Sequence, residues 1–197
     1  MPEIGLGYEN PRSRTDFDKI PWCAALLNAP GVQTFEPRPN RKAIQHDDDQ
    51  FLGRTLNCRE GVPAYVGFHK DTLAGEAIVE GGVLFSLGKG VNGYPGAAHG
   101  GMVAALLDEA MGILLVRNLE LGKLSLGGGG GGRGMATARM DVTFRRPVRA
   151  PGVVVGRAWL GKVEGKRYKM RAELRDGDEQ LLASCDGLWL ALDRPNL

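Results

Sequence analysis

The chain has 197 residues, of which 43% are hydrophobic and 24% are charged, which is typical of a globular protein built around one core. Its 25 Lys and Arg residues stand against 23 Asp and Glu, a net charge of +2, so bulk charge predicts no nucleic-acid partner. No apolar run approaches the roughly 18 residues of a membrane span, and the first residues lack the order of a secretory signal. We therefore expect a cytoplasmic protein with no membrane partner.

Cysteine usage points to the same kind of compartment. Cys23, Cys58 and Cys185 are odd in number, lie far apart and form no Cys-x-x-Cys or Cys/His ligand spacing, which favours a reducing environment. The run from His46 to Asp49 contains metal-ligand types. Because nothing nearby in the sequence completes a ligand set, we interpret it as a solvated charged loop and predict no metal site.

Residues 1–58 are predicted to form an N-terminal extension with one short helix. Up to about residue 50 the chain is rich in Pro, Arg and Asp. Within it, residues 16–28 place apolar side chains on one side of a helix, which we expect to end before Pro30-Gly31.

A β-rich domain is predicted over residues 59–197, interrupted by one long helix. Residues 62–69 and 76–87 are β-type runs, and Gly81-Gly82 in the second indicates a bulge or bend. Residues 101–116 are apolar without alternation and rich in Ala, Leu and Met, which predicts a helix buried on most sides.

The segment 126–134 contains six successive glycines. Glycine-rich backbone can hold phosphate where it leads into a helix. Here a strand follows and the Lys-Ser/Thr of a phosphate loop is absent, so we predict a flexible loop.

Four strands close the predicted domain. Residues 136–145 alternate apolar and polar side chains, as a half-buried strand does. Strands over 153–163, 167–175 and 180–192 follow, separated by turn-forming residues, so neighbours should pair as an antiparallel meander. The whole is an α+β layout in which one antiparallel sheet wraps a long central helix.

The start of the central helix has the features of an anion-stabilising site. The loop from Asn92 leads directly to His99, Gly100 and Gly101 at the amino end of the helix. Free backbone N–H groups and the positive end of the helix dipole lie there, and glycine lets a substrate approach the backbone closely. Such donors would stabilise a developing oxyanion.

Two acids interrupt the apolar helix. Asp108 and Glu109 are its only charged residues before Arg117, and burying a carboxylate is costly enough to require a reason. Adjacent helical positions point about 100° apart, so at most one of the two faces a given pocket. An internal salt bridge is the alternative interpretation.

The spacing of these features indicates a dimer. Asp108 follows Gly100 by eight residues, or about 12 Å along one helix, whereas groups acting on one carbonyl must lie within about 3–3.5 Å of it. If both serve one reaction, they come from two helices related by a two-fold axis. We expect a homodimer with two sites at its interface, and leave open whether dimers pair into a homotetramer.

These residues resemble a known family. The triplet His99-Gly100-Gly101, Asp108 nine positions after the His, and the strand from Thr137 to Pro147 are similar to the hotdog-fold thioesterase superfamily, specifically its PaaI-like branch. The resemblance covers roughly residues 60–192, including the order of the elements. It implies hydrolysis of acyl-CoA thioesters.

The resemblance also implies roles for individual residues. Asp108 would activate water or attack the thioester directly, and Gly100 would supply the oxyanion N–H. His99 would line the same pocket, and Thr137 would help to hold the water. Relatives carry an Asn six residues before the His, where this chain has Gly93 preceded by Asn92.

The remaining expectations concern substrate binding. Asn92 and Gly101 are candidates for contacts with the substrate, and Arg145 and Arg146 are candidates for the CoA phosphates. A solvent-facing basic strand edge is the alternative for the arginines. Thioester hydrolysis requires no cofactor, so none is expected.

Other functions fit the same fold. A hotdog dehydratase or hydratase would use a catalytic His with an acidic partner, although the His-Gly-Gly helix start favours the thioesterase. A non-catalytic acyl-CoA-binding module would keep the fold without turnover.

Overall fold

The computed structural model describes residues 13–37, 49–125 and 134–192, and the loop over 126–133 and the residues His46 to Asp48 lie outside these ranges. The predicted hotdog arrangement, one antiparallel sheet wrapped around a long helix, is confirmed. The α-helices are α1 (Arg14–Phe17), α2 (Pro21–Leu27) and α3 (Gly100–Glu120), and a short π-helix (Gln50–Thr55) and a 3₁₀ turn (Lys89–Val91) lie between α2 and α3. The strands are β1 (Val32–Phe35), β2 (Tyr65–Lys70), β3 (Glu80–Leu87), β4 (Asn92–Tyr94), β5 (Ala97–Ala98), β6 (Met135–Phe144), β7 (Gly152–Glu164), β8 (Arg167–Arg175) and β9 (Leu181–Ala191).

The seven-stranded sheet has the order β1-β2-β3-β7-β8-β9-β6, and β4 and β5 form a separate small hairpin. The predicted meander therefore holds for β7, β8 and β9 but is wrong for β6, which pairs with β9 rather than with β7. Turn-forming residues mark where a strand ends without specifying which strand is its neighbour. Residues 145–151 are a crossover, held at the hairpin by an antiparallel bridge between Ala97 and Arg149.

The glycine pair in β3 has a different role from the predicted bulge. β3 pairs with β2 and with β7 without a shift in register. A Cβ atom at Gly82 would lie 2.5 Å from the carbonyl oxygen of Gly156 and 2.6 Å from the Phe68 ring. The absence of a side chain therefore allows close packing of ring and backbone.

The N-terminal part contributes to the same sheet. The single helix predicted over residues 16–28 is divided into α1 and α2, because Pro21 begins a new helix at its N-terminal position. The apolar side chains of both helices cover the sheet face that is turned away from α3, hereafter the outer face. β1, which the sequence did not predict, pairs with β2 at the sheet edge.

Helix α3 is buried on most sides, as predicted. Leu106, Leu107, Met111 and Leu115 are fully buried in the main core between the helix and the sheet. None of the described helices has the combination of length and hydropathy that crossing a membrane requires.

The buried polar residue Asn118 fastens the far end of α3. Its Oδ1 accepts the N–H of Ile78 at 2.7 Å, and its Nδ2 donates to the carbonyls of Ile78 and Leu114, both at 3.0 Å. The amide is fully buried. It therefore joins the last turns of the helix to the segment that enters β3.

We expect Asn118→Ala to lower the free energy of unfolding by about 2–3 kcal/mol, because the N–H and carbonyl of Ile78 lose their buried partners. Urea denaturation measures the change. The matched control is Asn57→Ala, since Asn57 is exposed. Equal stability losses in both variants would show that the buried amide has no special role.

Candidate active site

His99 caps the amino end of α3. Its Nδ1 accepts the N–H of Gly101 at 3.0 Å, so in the neutral ring the proton resides on Nε2. The backbone N–H of His99 donates to the carbonyl of Val91 at 2.8 Å. Gly100 is exposed and is the first helical residue, so its N–H has no partner within the helix. The cap thus leaves the Gly100 donor available at the surface.

Asn92 and Gly93 lie beside this helix start. The hairpin of β4 and β5 pairs Asn92 with Ala98, next to His99. Asn92 Oδ1 is buried and has no hydrogen-bond partner among the described residues. A Cβ atom at Gly93 would lie 2.9 Å from the Cα of His99, so an asparagine at position 93 would require the cap to move. The amide oxygen of Asn92 is an unused acceptor near the cap.

Asp108 lies half-buried on α3 and meets Thr137 of β6. The Thr137 hydroxyl donates to Asp108 Oδ1 at 2.7 Å. Burial raises the pKa of Asp108 above its usual range, and the hydrogen bond from Thr137 acts in the opposite direction. Within the described ranges no Lys or Arg forms an ion pair with Asp108, so the alternative of an internal salt bridge is not seen there.

The two predicted parts of the site lie apart within one chain. A Cβ atom at Gly100 would be 3.7 Å from the Phe144 ring at the end of β6, whereas Asp108 contacts Thr137, seven residues earlier on that strand. Along the helix the separation is about 12 Å. One chain therefore carries a helix start and a carboxylate that cannot act on the same carbonyl.

Arg145 and Arg146 follow β6 directly and are exposed. Their backbone N–H groups donate to the carbonyl of Leu182, and Arg146 Nη1 donates to the carbonyl of Leu181 at 3.3 Å. Because Phe144 lies beside Gly100, both arginines lie on the side of the helix start.

A cavity of about 530 Å³ adjoins Arg146. It is lined by the crossover, the start of β7 and the turn between β8 and β9, and it includes Arg149, Asp176 and Asp178. Two basic and two acidic side chains balance its charge. Neither Asp108 nor Thr137 lines it.

Two residues near Asp108 were not identified from the sequence. Burial raises the pKa of the Cys185 thiol to about 11, and the nearby Asp108 charge acts in the same direction. Trp189 lies on the same strand directly opposite Thr137. The alternation along β9 places Cys185 and Trp189 on one face, but only the pairing of β6 with β9 brings that face to the site.

Comparison with known proteins gives a consistent picture. Residues 95–183 match a family model described as the thioesterase superfamily. The chain is 34% identical over 111 residues to acyl-coenzyme A thioesterase THEM4 of Bos taurus, covering 56% of this chain and 40% of that protein. It is 27% identical over 165 residues to verlamelin biosynthesis protein B of a Lecanicillium species, covering 72% and 71% respectively.

Among solved structures, a thioesterase from Haemophilus influenzae shares the fold. The TM-score is 0.50 at 15% identity, over 66% of this chain and 80% of that one. The chain spans about two-fifths of the length of the bovine relative.

We expect Asp108→Asn to raise the free energy of unfolding at neutral pH. Because the folded pKa of Asp108 lies above its unfolded value, the stability linked to this group is present below about pH 4 and is lost as the pH rises through the folded pKa. The increase in the free energy of unfolding caused by Asp108→Asn should therefore grow as the pH rises from about 4 through the folded pKa of Asp108. Unfolding curves across this pH range test it, with exposed Asp141→Asn as control, and a pH-independent difference would contradict it.

Proposed function

We propose that this protein hydrolyses acyl-CoA thioesters to a free acid and CoA, because residues 95–183 match the family model of the thioesterase superfamily. The observation that carries the proposal is the half-buried Asp108 carboxylate, held at 2.7 Å by a hydroxyl instead of a cation. A carboxylate of raised pKa is a better base near neutral pH than an ordinary one. The similarity to a bovine acyl-CoA thioesterase supports the choice of substrate class.

In the proposed reaction, Asp108 removes a proton from water. Thr137 donates to Oδ1, which leaves Oδ2 as the acceptor for that proton. The hydroxide adds to the thioester carbonyl carbon and gives a tetrahedral oxyanion. The C–S bond then breaks, and the CoA sulfur leaves with the proton that Asp108 had taken up. Atoms and charge balance without a cofactor.

The oxyanion requires a donor that the same subunit cannot bring to it, since Gly100 lies about 12 Å along the helix. We assign this role to the N–H of Gly100 of the partner subunit. β6 supports such a pairing, because it lies at the end of the sheet order and its residues are half-buried or exposed. An antiparallel copy joined at this edge would place two α3 helices side by side in opposite directions.

The other residues take supporting roles in this proposal. His99 fixes the helix start through its cap and lines the pocket, and the unpaired oxygen of Asn92 accepts a hydrogen bond from water or substrate. Gly101 allows close approach of the thioester. Arg145 and Arg146 contact the CoA phosphates at the exposed end of β6.

We expect Asp108→Asn to lower kcat/KM for acyl-CoA substrates by about 10²–10⁴-fold, since an amide cannot take the proton from water. Release of free thiol from a panel of acyl-CoAs measures turnover. Glu109→Gln is the matched comparison, because it changes the neighbouring acid on the same helix and should retain turnover. Loss of turnover in Glu109→Gln alone would reassign the base, and acyl-CoA binding without thiol release by the wild type would indicate a binding module.

The oxyanion donor has its own test. Proline is favoured at the first helical position and lacks an N–H, so Gly100→Pro should keep the fold and lower kcat by about 10²–10³-fold. Gly100→Ala retains the N–H, and its Cβ would meet the Phe144 ring at an ordinary 3.7 Å, so it should remain active.

The same two variants test whether each active site is formed by residues of two subunits. In a mixed dimer, the intact Asp108 of the Gly100→Pro subunit faces the intact Gly100 of the Asp108→Asn subunit. Co-refolding the two inactive variants should restore about a quarter of wild-type activity at random pairing. A mixture that stays inactive although heterodimers are present would contradict a shared site.

A further inference from the structure

Trp189 lies on the same surface as the proposed base. On β9 it pairs with Thr137 of β6 on one side and with Tyr168 of β8 on the other. Directly opposed residues of neighbouring strands project from the same face of a sheet. The indole therefore stands beside the hydroxyl that holds Asp108, on the face turned toward α3.

The helix makes room for this indole. A Cβ atom at Gly112 would lie 2.8 Å from Cη2 of Trp189. Gly112 follows Asp108 by one helical turn, about 6 Å along the axis, on the same side of α3. Glycine inside a helix is less favourable than alanine, and the contact with the ring explains its presence. Trp189 thus contacts the helix one turn beyond the carboxylate.

Within the described part of the chain, the indole nitrogen of Trp189 lacks a hydrogen-bond acceptor. Trp189 is only 8% exposed, and its Nε1 is buried without a partner among the described residues. A buried N–H without an acceptor is destabilising, because it has lost its hydrogen bond to water. Because the indole only donates, the missing partner is an acceptor.

The surroundings of Trp189 can adapt to a ligand. Gly187, two residues earlier on the same face of β9, has no side chain, and Met111 fills the space. The Met111 sulfur would lie 2.7 Å from a Cβ atom at Gly187. Methionine is flexible and readily changes rotamer, so this part of the core can open between α3 and β9.

We propose that Trp189 is a specificity-determining residue of the thioesterase site, and that its indole N–H donates to an oxygen carried by the acyl chain. The acyl chain enters between α3 and β9 as Met111 moves aside. The protein then prefers hydroxyacyl- or oxoacyl-CoA over unsubstituted acyl-CoA of equal length. This inference rests on the proposed function. A donor placed for a substrate oxygen selects strongly against analogues that lack it.

The test compares kcat/KM for matched pairs of acyl-CoAs, one unsubstituted and one with a hydroxyl or keto oxygen at successive positions along the chain. We expect the wild type to favour one oxygenated position by about 10-fold or more. Trp189→Phe, which keeps an aromatic ring without a donor, should bring the ratio close to one. Trp159→Phe is the matched control, because Trp159 is a half-buried tryptophan of β7 that should leave the ratio unchanged.

The outcomes separate this inference from the proposed function. No turnover of any acyl-CoA overturns the function itself. Turnover with equal kcat/KM within every pair, or a preference that persists in Trp189→Phe, overturns the role of Trp189 and leaves the thioesterase in place.

A second measurement avoids substitution of Trp189. In the slow Asp108→Asn protein labelled with ¹⁵N at its indoles, the Trp189 N–H resonance should shift when the preferred oxygenated acyl-CoA is added. It should shift less with the unsubstituted partner of the pair. Trp22→Phe and Trp159→Phe assign the other two indole signals. Equal responses to both ligands would mean that the indole donates to no acyl oxygen.

Discussion

The hydrogen bond between Thr137 and Asp108 is the interaction on which the site depends. It joins the helix to the edge strand β6. Among the described residues, it is the hydrogen bond that opposes the effect of burial, which raises the pKa of Asp108. A guanidinium in place of the hydroxyl would stabilise the ionised form far more and lower the basicity of Asp108. A neutral donor orients the carboxylate and leaves its pKa raised. Orientation and basicity are thereby obtained together, at a cost in folding stability that the apolar packing of α3 offsets.

Two polar residues on α3 illustrate how a structural group differs from the proposed catalytic one. Asn118 is fully buried and uses both its oxygen and its nitrogen on the neighbouring backbone, so nothing remains for a ligand. Asp108 is only half-buried and receives one hydrogen bond from the residues that the structure describes, so one carboxylate oxygen stays available among them. If burial alone were used to find a functional polar residue, Asn118 would be chosen before Asp108. Unused hydrogen-bonding capacity at a surface that substrate can reach is the better guide to chemistry.

Local pattern was enough to predict the elements but not their neighbours. The composition of residues 101–116 predicts α3, alternation predicts β6, and turn-forming residues delimit β7 to β9, because all these signals arise within a short stretch of chain. The pairing of β6 with β9 joins segments that are separated in sequence by two other strands. The periodicity of a strand does not indicate which other strand it pairs with. For that reason the sequence indicates Asp108 and, through a family resemblance, Thr137, yet it gives no sign of Trp189. The strand β1 escaped notice for a similar reason, since its four residues are too few to show alternation.

The geometry of the helix also bears on the size of the assembly. The proposed reaction needs one helix start and one carboxylate from different copies, and two copies joined at β6 satisfy this for both sites at once. Further assembly would have to use other surfaces. On the outer face, α1 and α2 already cover β2, β3 and part of β7, and β8 presents the exposed cations Lys169 and Arg171 there. Both cations form ion pairs, with Glu164 and Glu173 respectively, and burying such charged groups against a like surface is costly. The proposed reaction itself requires no more than two copies of the chain.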